Sequence, residues 1–246
     1  MKTVFLASVA AATLIAAPAF AQNVGSVGIT YGNTSANDID GDVDAVKLDG
    51  VVAMPAFGDW TVTVAGGLNY VDTDFGDSTN LEGAVHLTTL ATPDLRVGGF
   101  VAAQDLGAET ALTVGAEVQK YLANATLTGL VSYTSADDLD LDVWTIGADA
   151  GYYVMPNLRL NAGVSYNSVE QLGNSADAWT YGVGAEYEFA NTPYSVNAAY
   201  TRADIESLDV DTWTIGMRYS FGGGLQARDR AGASLKASSI VSTLGF

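Results

Sequence analysis

The chain has 246 residues, with 28 acidic against 10 basic side chains, a formal charge of −18 and no cysteine. So acidic a surface repels nucleic acid, and without thiols there are no disulfides and no thiolate metal sites. Only 15% of residues are charged and the mean hydropathy is +0.19, which is too apolar for a disordered chain.

The first predicted element is a secretory signal peptide over residues 1–21. Lys2 precedes an apolar run from Val4 to Ala17, and Ala19-Phe20-Ala21 places small residues at the cleavage site. Removing Lys2 leaves 9 of the 10 basic residues against 28 acids, a charge of −19. Downstream, no stretch reaches the ~18 consecutive apolar residues of a spanning helix.

From residue 24 onward the chain alternates apolar and polar residues in short runs. The last is the clearest: Trp213, Ile215, Met217, Tyr219 and Phe221 share one face, and Thr212, Thr214, Gly216, Arg218 and Ser220 the other. The same test predicts strands over residues 24–31, 43–54, 60–70, 80–90, 95–104, 110–121, 126–133, 143–154, 158–166, 179–189, 194–202 and 212–221. Most approach the ~9 to 11 residues with which a tilted strand crosses a bilayer. Pro55, Pro93, Pro156 and Pro193 all fall in short connections between these runs, where a missing N–H does no harm to a ladder. The alternate connections are longer: residues 32–42, 71–79, 105–110, 134–142, 167–178 and 203–211 hold 18 of the 28 acids and no basic residue.

Aromatics gather at both ends of the apolar face. Trp144, Trp179 and Trp213 open three strands, and Tyr133, Tyr166 and Tyr200 close their neighbours; Trp60, Tyr219 and Phe221 stand at the short-turn end with Tyr152, Tyr187, Phe189 and Tyr194. Two aromatic rows bracketing a Val, Ile, Leu and Ala band are a girdle at two membrane interfaces. The fold class is therefore all-β: a transmembrane, antiparallel, up-and-down β-barrel of twelve strands, or ten if the first hairpin lies outside the wall. Short turns face one side of the membrane and acidic loops the other.

The wet face is mostly small, with Gly67, Gly98, Gly147, Gly151, Gly163, Gly182 and Gly184 beside Thr61, Thr63, Asn161, Ser165, Asn197 and Thr214. Twelve strands enclose more space than such side chains fill. Its charged members are Lys47, Arg96, Arg159 and Arg218 against Asp49, Glu82, Glu117, Asp149, Glu186 and Glu188. They either line a solute-accessible pore or pair into a network that narrows it. The acidic loops should enrich cations at the mouth, an effect that salt screens over ~8 to 10 Å.

Two motifs invite sharper chemistry. Asp38, Asp40, Asp42 and Asp44 cluster carboxylates, but Gly41 stands fourth rather than sixth and the closing glutamate of a calcium loop is missing. His86, the single histidine, precedes Thr88 on the wet face near Glu82; without a serine nucleophile it reads as a pore-lining polar residue, and no catalytic residue, cofactor or metal is expected.

On these features, residues 22–221 resemble the porin-like outer-membrane β-barrel proteins of Gram-negative bacteria. The final strand "TIGMRYSF", with its alternating aromatics and closing Phe221, is similar to that family's C-terminal assembly signal. The resemblance implies the bacterial outer membrane, contact with lipid and lipopolysaccharide, insertion by the barrel-assembly machinery, and passage of small hydrophilic solutes. The family's trimeric porins fold a long third loop inward; "DLGAET" is too short for that, so a monomer is expected. A non-conducting structural or adhesion barrel is the alternative.

The assembly signal normally ends the chain, but here residues 222–246 follow, holding Arg228, Arg230 and Lys236 against Asp229. This polar basic tail is expected as a flexible periplasmic extension, with a lumen plug or a further strand over residues 238–246 as alternatives.

Overall fold

The computed structural model describes residues 23–37, 41–73, 76–107, 109–206 and 208–235. The signal peptide, Asp38 and Asp40 of the aspartate run, Lys236 and the proposed strand 238–246 lie outside the described residues.

Twelve strands form: β1 (Val24–Ala36), β2 (Val43–Pro55), β3 (Trp60–Thr73), β4 (Gly76–Thr92), β5 (Leu95–Asp105), β6 (Thr110–Tyr121), β7 (Ala125–Ala136), β8 (Leu141–Met155), β9 (Leu158–Gln171), β10 (Asn174–Glu188), β11 (Tyr194–Ile205) and β12 (Leu208–Phe221). Each pairs antiparallel with its sequence neighbours, and β12 pairs with β1, so the sheet closes into a barrel without a free edge. The first hairpin belongs to the wall. At the closing seam Gly25 stands opposite Phe221; a Cβ there would lie 2.7 Å from the Phe221 ring, so glycine lets the terminal aromatic lie flat.

At the short-turn end the strands begin and end close to where the alternation predicts. At the other end most run further, because alternation continues through much of what composition marks as loop. The segment 167–178 is the clearest case: β9 and β10 pair up to Gln171 and Asn174, leaving a two-residue turn at Leu172 (φ 51°) and Gly173 (φ 76°). Positive φ at both positions is the twist-matched geometry of tight hairpins. Half of the 18 acids counted as loop residues, 9 of them, thus sit on strand extensions.

Side-chain exposure follows the same parity. Ile29, Leu48, Val101, Val114, Ile146, Val183, Ile215 and Met217 face outward and are exposed, as a lipid-facing band must be. Tyr133 packs on Trp144, Tyr166 on Trp179 and Tyr200 on Trp213, with ring centroids 5.1, 5.2 and 4.5 Å apart. At the opposite end Trp60 packs on Phe57 and Tyr219 on Tyr194. No helix among the described residues is long and apolar enough to cross a membrane.

After β12 the chain turns back. Gly222 and Gly223 take φ of 84° and 141°, and a short helix α1 (Leu225–Arg228) continues as one wider turn over Asp229–Ala233.

Candidate functional site

The inward face is a set of flat ion pairs on glycine. One register row runs Arg218, Gly28, Asp49, Gly67, Glu82 and Gln104 across β12, β1, β2, β3, β4 and β5. Arg218 reaches over Gly28 to Asp49 at 2.8 and 3.2 Å, and Lys47 reaches over Gly67 to Glu82 at 2.7 Å. A Cβ on Gly28 would meet the Arg218 guanidinium at 3.1 Å, and one on Gly67 would meet Glu82 Oε1 at 2.9 Å. Glycine between two long charged side chains therefore lets the pair lie against the wall instead of standing into the lumen. Across the barrel Arg159 pairs with Asp149 at 3.4 Å and covers Gly151, whose added Cβ would sit 2.5 Å from Arg159 Nε. The glycines that composition marks only as small wall residues are beds for these charges.

Between the pairs the wall is polar and open to water: Asn161, Gly163, Ser165, Gly182, Gly184 and Asn197 are all partly exposed. Asn69 Nδ2 and Asn197 Nδ2 make no hydrogen bond to protein among the described residues.

His86 departs from its expected place as a residue lining the pore. It is fully buried, with Nδ1 2.9 Å from Glu117 Oε1 and its ring stacked on Phe100 at 5.2 Å. The bond bridges β4 to β6 over β5, a contact two strands apart that alternation cannot reveal. Thr88 is engaged elsewhere, accepting from Arg96 Nη1 at 2.9 Å, and no hydrogen bond joins it to His86.

At the short-turn end the lumen is occupied. The flexible extension expected of the tail does not describe residues 225–235, which bond to strands all around the wall. Arg228 donates to Glu188 at 2.6 Å and lies 3.8 Å from Glu186. Asp229 accepts from Thr126 at 2.5 Å, from Tyr153 at 2.7 Å and from Ser234. Thr63 donates to the Gly232 carbonyl at 3.2 Å, and Arg96 to the Arg230 carbonyl at 2.9 Å. A segment held at once by β3, β5, β7, β8 and β10 can only lie inside the barrel. Arg228 and Asp229 are 6% and 3% exposed. This is the lumen plug given as an alternative for the tail, but its seat was not foreseen; the signal for the seat was Tyr121 and Tyr153, two large rings on the face that should be small.

The far end inverts the rule of the membrane band. Beyond the inward Thr34, Thr113, Thr134, Thr145, Thr180 and Thr212, the inward positions become Ala136, Val143, Ala178, Ala203 and Val210, all buried, with Ala203 at 0% exposure. The outward positions become Asp44, Asp142, Asp177, Asp204 and Asp211. Tyrosines of the girdle tie into them: Tyr31 donates to Asp44 at 2.7 Å, Tyr133 to Asp142 at 2.6 Å and Tyr200 to Asp211 at 2.5 Å. Arg202, the cation in this belt, pairs with Asp204, Asp209 and Asp211. The described part of the aspartate run, Asp42 and Asp44, contributes to no group of three or more metal-binding side chains among the described residues.

Comparison with known proteins agrees with this architecture. The outer membrane protein beta-barrel domain family matches residues 7–221. The fold is similar to a COG4313 outer membrane channel from Pseudomonas putida F1 (12% identity, TM-score 0.64, 81% of this chain and 95% of that one). It is also similar to a NanC porin (9%, 0.59, 79% and 100%) and to a KdgM porin solved in complex with disordered oligogalacturonate (10%, 0.58, 80% and 100%). No curated protein sequence matches the chain.

Proposed function

Because the chain belongs to the outer membrane protein beta-barrel domain family, and so to the bacterial outer membrane, we propose that it is a channel for passive diffusion of small hydrophilic solutes, with a mild preference for cations. The observation that carries this is the glycine-bedded middle of the lumen. A barrel built to be filled would send Arg218, Lys47 and Arg159 across the space, whereas these lie along the wall over Gly28, Gly67 and Gly151. The charges predicted to line the pore, Lys47, Asp49, Glu82, Asp149, Arg159 and Arg218, would then flank the path, with Glu186 and Glu188 at its periplasmic exit. Arg96 and Glu117 are buried, Arg96 beneath the docked tail, whose Arg230 carbonyl it holds, and Glu117 against His86.

Selectivity follows from the pairing. Each of Lys47, Arg159 and Arg218 has a carboxylate partner, so a polyanion such as an oligogalacturonate would find these cations already neutralised. Uncharged polar solutes would meet the partly exposed Asn161 and Ser165 side chains, and the acidic outer belt favours cations. On this reading the barrel works as a monomer among lipid and lipopolysaccharide, inserted by the barrel-assembly machinery; closure by β12 onto β1 completes each wall from one chain. No catalytic role is assigned, since His86 and Thr88 each bond to other groups.

The test is conductance of the folded full-length mature protein in a planar bilayer under a salt gradient, beside Gly67→Val. Discrete steps with a cation-side reversal potential, made smaller by Gly67→Val as the Lys47–Glu82 pair is lifted from the wall, are the expected outcome. Silence of every form in folded protein would leave the second reading, a closed structural barrel, which the buried apolar positions at the outer mouth favour.

A further inference from the structure

We propose that residues 225–235 are a releasable stopper of the periplasmic end, an internal peptide ligand whose adjacent Arg228 and Asp229 fit two separate subsites on the barrel wall. The inference rests on the channel reading above.

The first subsite is acidic. Glu188 and Glu186 face the Arg228 guanidinium, Glu186 is itself held by Ser195 at 2.6 Å, and the Gly223 carbonyl adds a contact at 2.8 Å. The second subsite offers hydroxyl donors to a carboxylate, Tyr153 and Thr126, which converge on Asp229 Oδ2. Around them the wall grips backbone rather than side chain: Thr63 and Arg96 donate to carbonyls of Gly232 and Arg230. In the other direction the stopper's Arg230 and Gln226 side chains donate to carbonyls of the Leu122–Ala123 turn. A guanidinium beside a carboxylate, at a spacing set by one peptide bond, is what these subsites together recognise.

Three features make the seat reversible. The contacts are polar, with Leu225 and Leu235 as the buried apolar side chains of the segment, so little hydrophobic burial holds it. Buried ion pairs lose much of their attraction to desolvation, so docking and release lie closer in free energy than the number of bonds suggests. The α1 helix has four residues, too few to persist undocked, and it joins β12 through Gly222-Gly223-Gly224. Gly222 takes φ 84°, and a Cβ there would sit 2.5 Å from the Asn23 carbonyl oxygen, so this hinge must be glycine. Release would free residues 222–235 toward the periplasm and leave the wet middle of the lumen open at that end.

The chain has no cysteine, so a pair can be introduced cleanly. Gln119 Nε2 and Ser234 Oγ are 3.3 Å apart, and because cysteine is shorter than glutamine the pair is bridged by a short bis-methanethiosulfonate rather than by direct oxidation; full-length Gln119→Cys/Ser234→Cys is recorded in a planar bilayer, bridged and then reduced, beside Arg228→Gln and Asp229→Asn. The bridged form should stay in a low-conductance state, reduction should restore transitions, and either charge variant should raise the open fraction about tenfold. Equal conductance in all forms would overturn the stopper while leaving the channel standing. Silence of all forms would overturn both. A second readout needs no current: a maleimide should label Leu235→Cys, otherwise buried, about tenfold faster when Asp229→Asn is added, and an unchanged rate would also sink the proposal.

Discussion

The membrane band and the extension above it are made by the same strands under opposite rules. In the band, β12 sends Trp213, Ile215, Met217 and Tyr219 outward and Thr212, Thr214, Gly216 and Arg218 inward; two residues further up, Asp211 and Asp209 point outward while Val210 and Leu208 point inward. β8, β10 and β11 switch at the same height, through Trp144 and Asp142, Trp179 and Asp177, and Tyr200 and Arg202. The backbone does not change at this boundary, since hydrogen-bond registers run through it unbroken. What changes is the solvent outside. Lipid rewards apolar side chains facing out, so the inside is free to be polar; water rewards carboxylates facing out, so the apolar residues turn in and meet one another. We take the tyrosine and tryptophan row to mark the height at which one solvent gives way to the other.

Substitutions that place one residue type on both sides of that row separate the two regimes. The largest effect is expected of an outward charge. Met217→Arg, midway between Trp213 and Phe221, should destabilise the barrel by about 2–4 kcal/mol, whereas Ser175→Arg, outward on the β10 extension, should fall within measurement error. Urea unfolding in lipid vesicles checks both, and equal costs would mean the row does not mark the membrane surface. An intermediate effect is expected inside. Ala203 has no exposed surface, so Ala203→Asn places an amide in the dry mouth at a cost of about 1–3 kcal/mol, while Thr201→Asn, two residues lower in the wet lumen, should cost far less. If both were silent, the outer mouth would be as wet as the middle.

Much of this architecture is legible in the sequence because alternation reports the face of every residue. Both aromatic rows follow from parity, the prolines add the short turns, and the strand number is twelve rather than ten once the first hairpin pairs into the wall. The height of the strands was not legible: "NSVEQLGNSADA" is polar and acidic, which composition reads as loop, while Val169, Ala176 and Ala178 keep the alternation that extends β9 and β10. Nor was the tail, because its contacts run from residues 225–235 back to Thr63, Arg96, Thr126 and Tyr153 and leave no local period. The ion pairs fall between these cases. Parity puts Lys47 and Glu82, or Arg218 and Asp49, on the wet face, but the intervening Gly67 and Gly28 acquire meaning only once β2 to β4 and β12 to β2 are aligned.

The smallest expected effect tests the boundary itself. Asp44 stands just above the girdle, where the Asn33 amide and the Tyr31 hydroxyl hold its carboxyl below the ordinary carboxylate range. A carboxylate whose pKa is lower folded than unfolded stabilises the fold at pH values above its unfolded pKa, about 3.9, and that contribution disappears as the pH falls through the lower, folded value. Acidification below about pH 4 should therefore cost the wild type a small increment of Tm that Asp44→Asn does not lose, because the amide can keep the Tyr31 bond in either condition. The group is exposed and the increment is screened by salt, so the comparison belongs in low-salt buffer. If the two proteins lose Tm in parallel, the Tyr31–Asp44 bond contributes nothing at the boundary, and the tyrosine row is placed by its rings rather than by its hydroxyls.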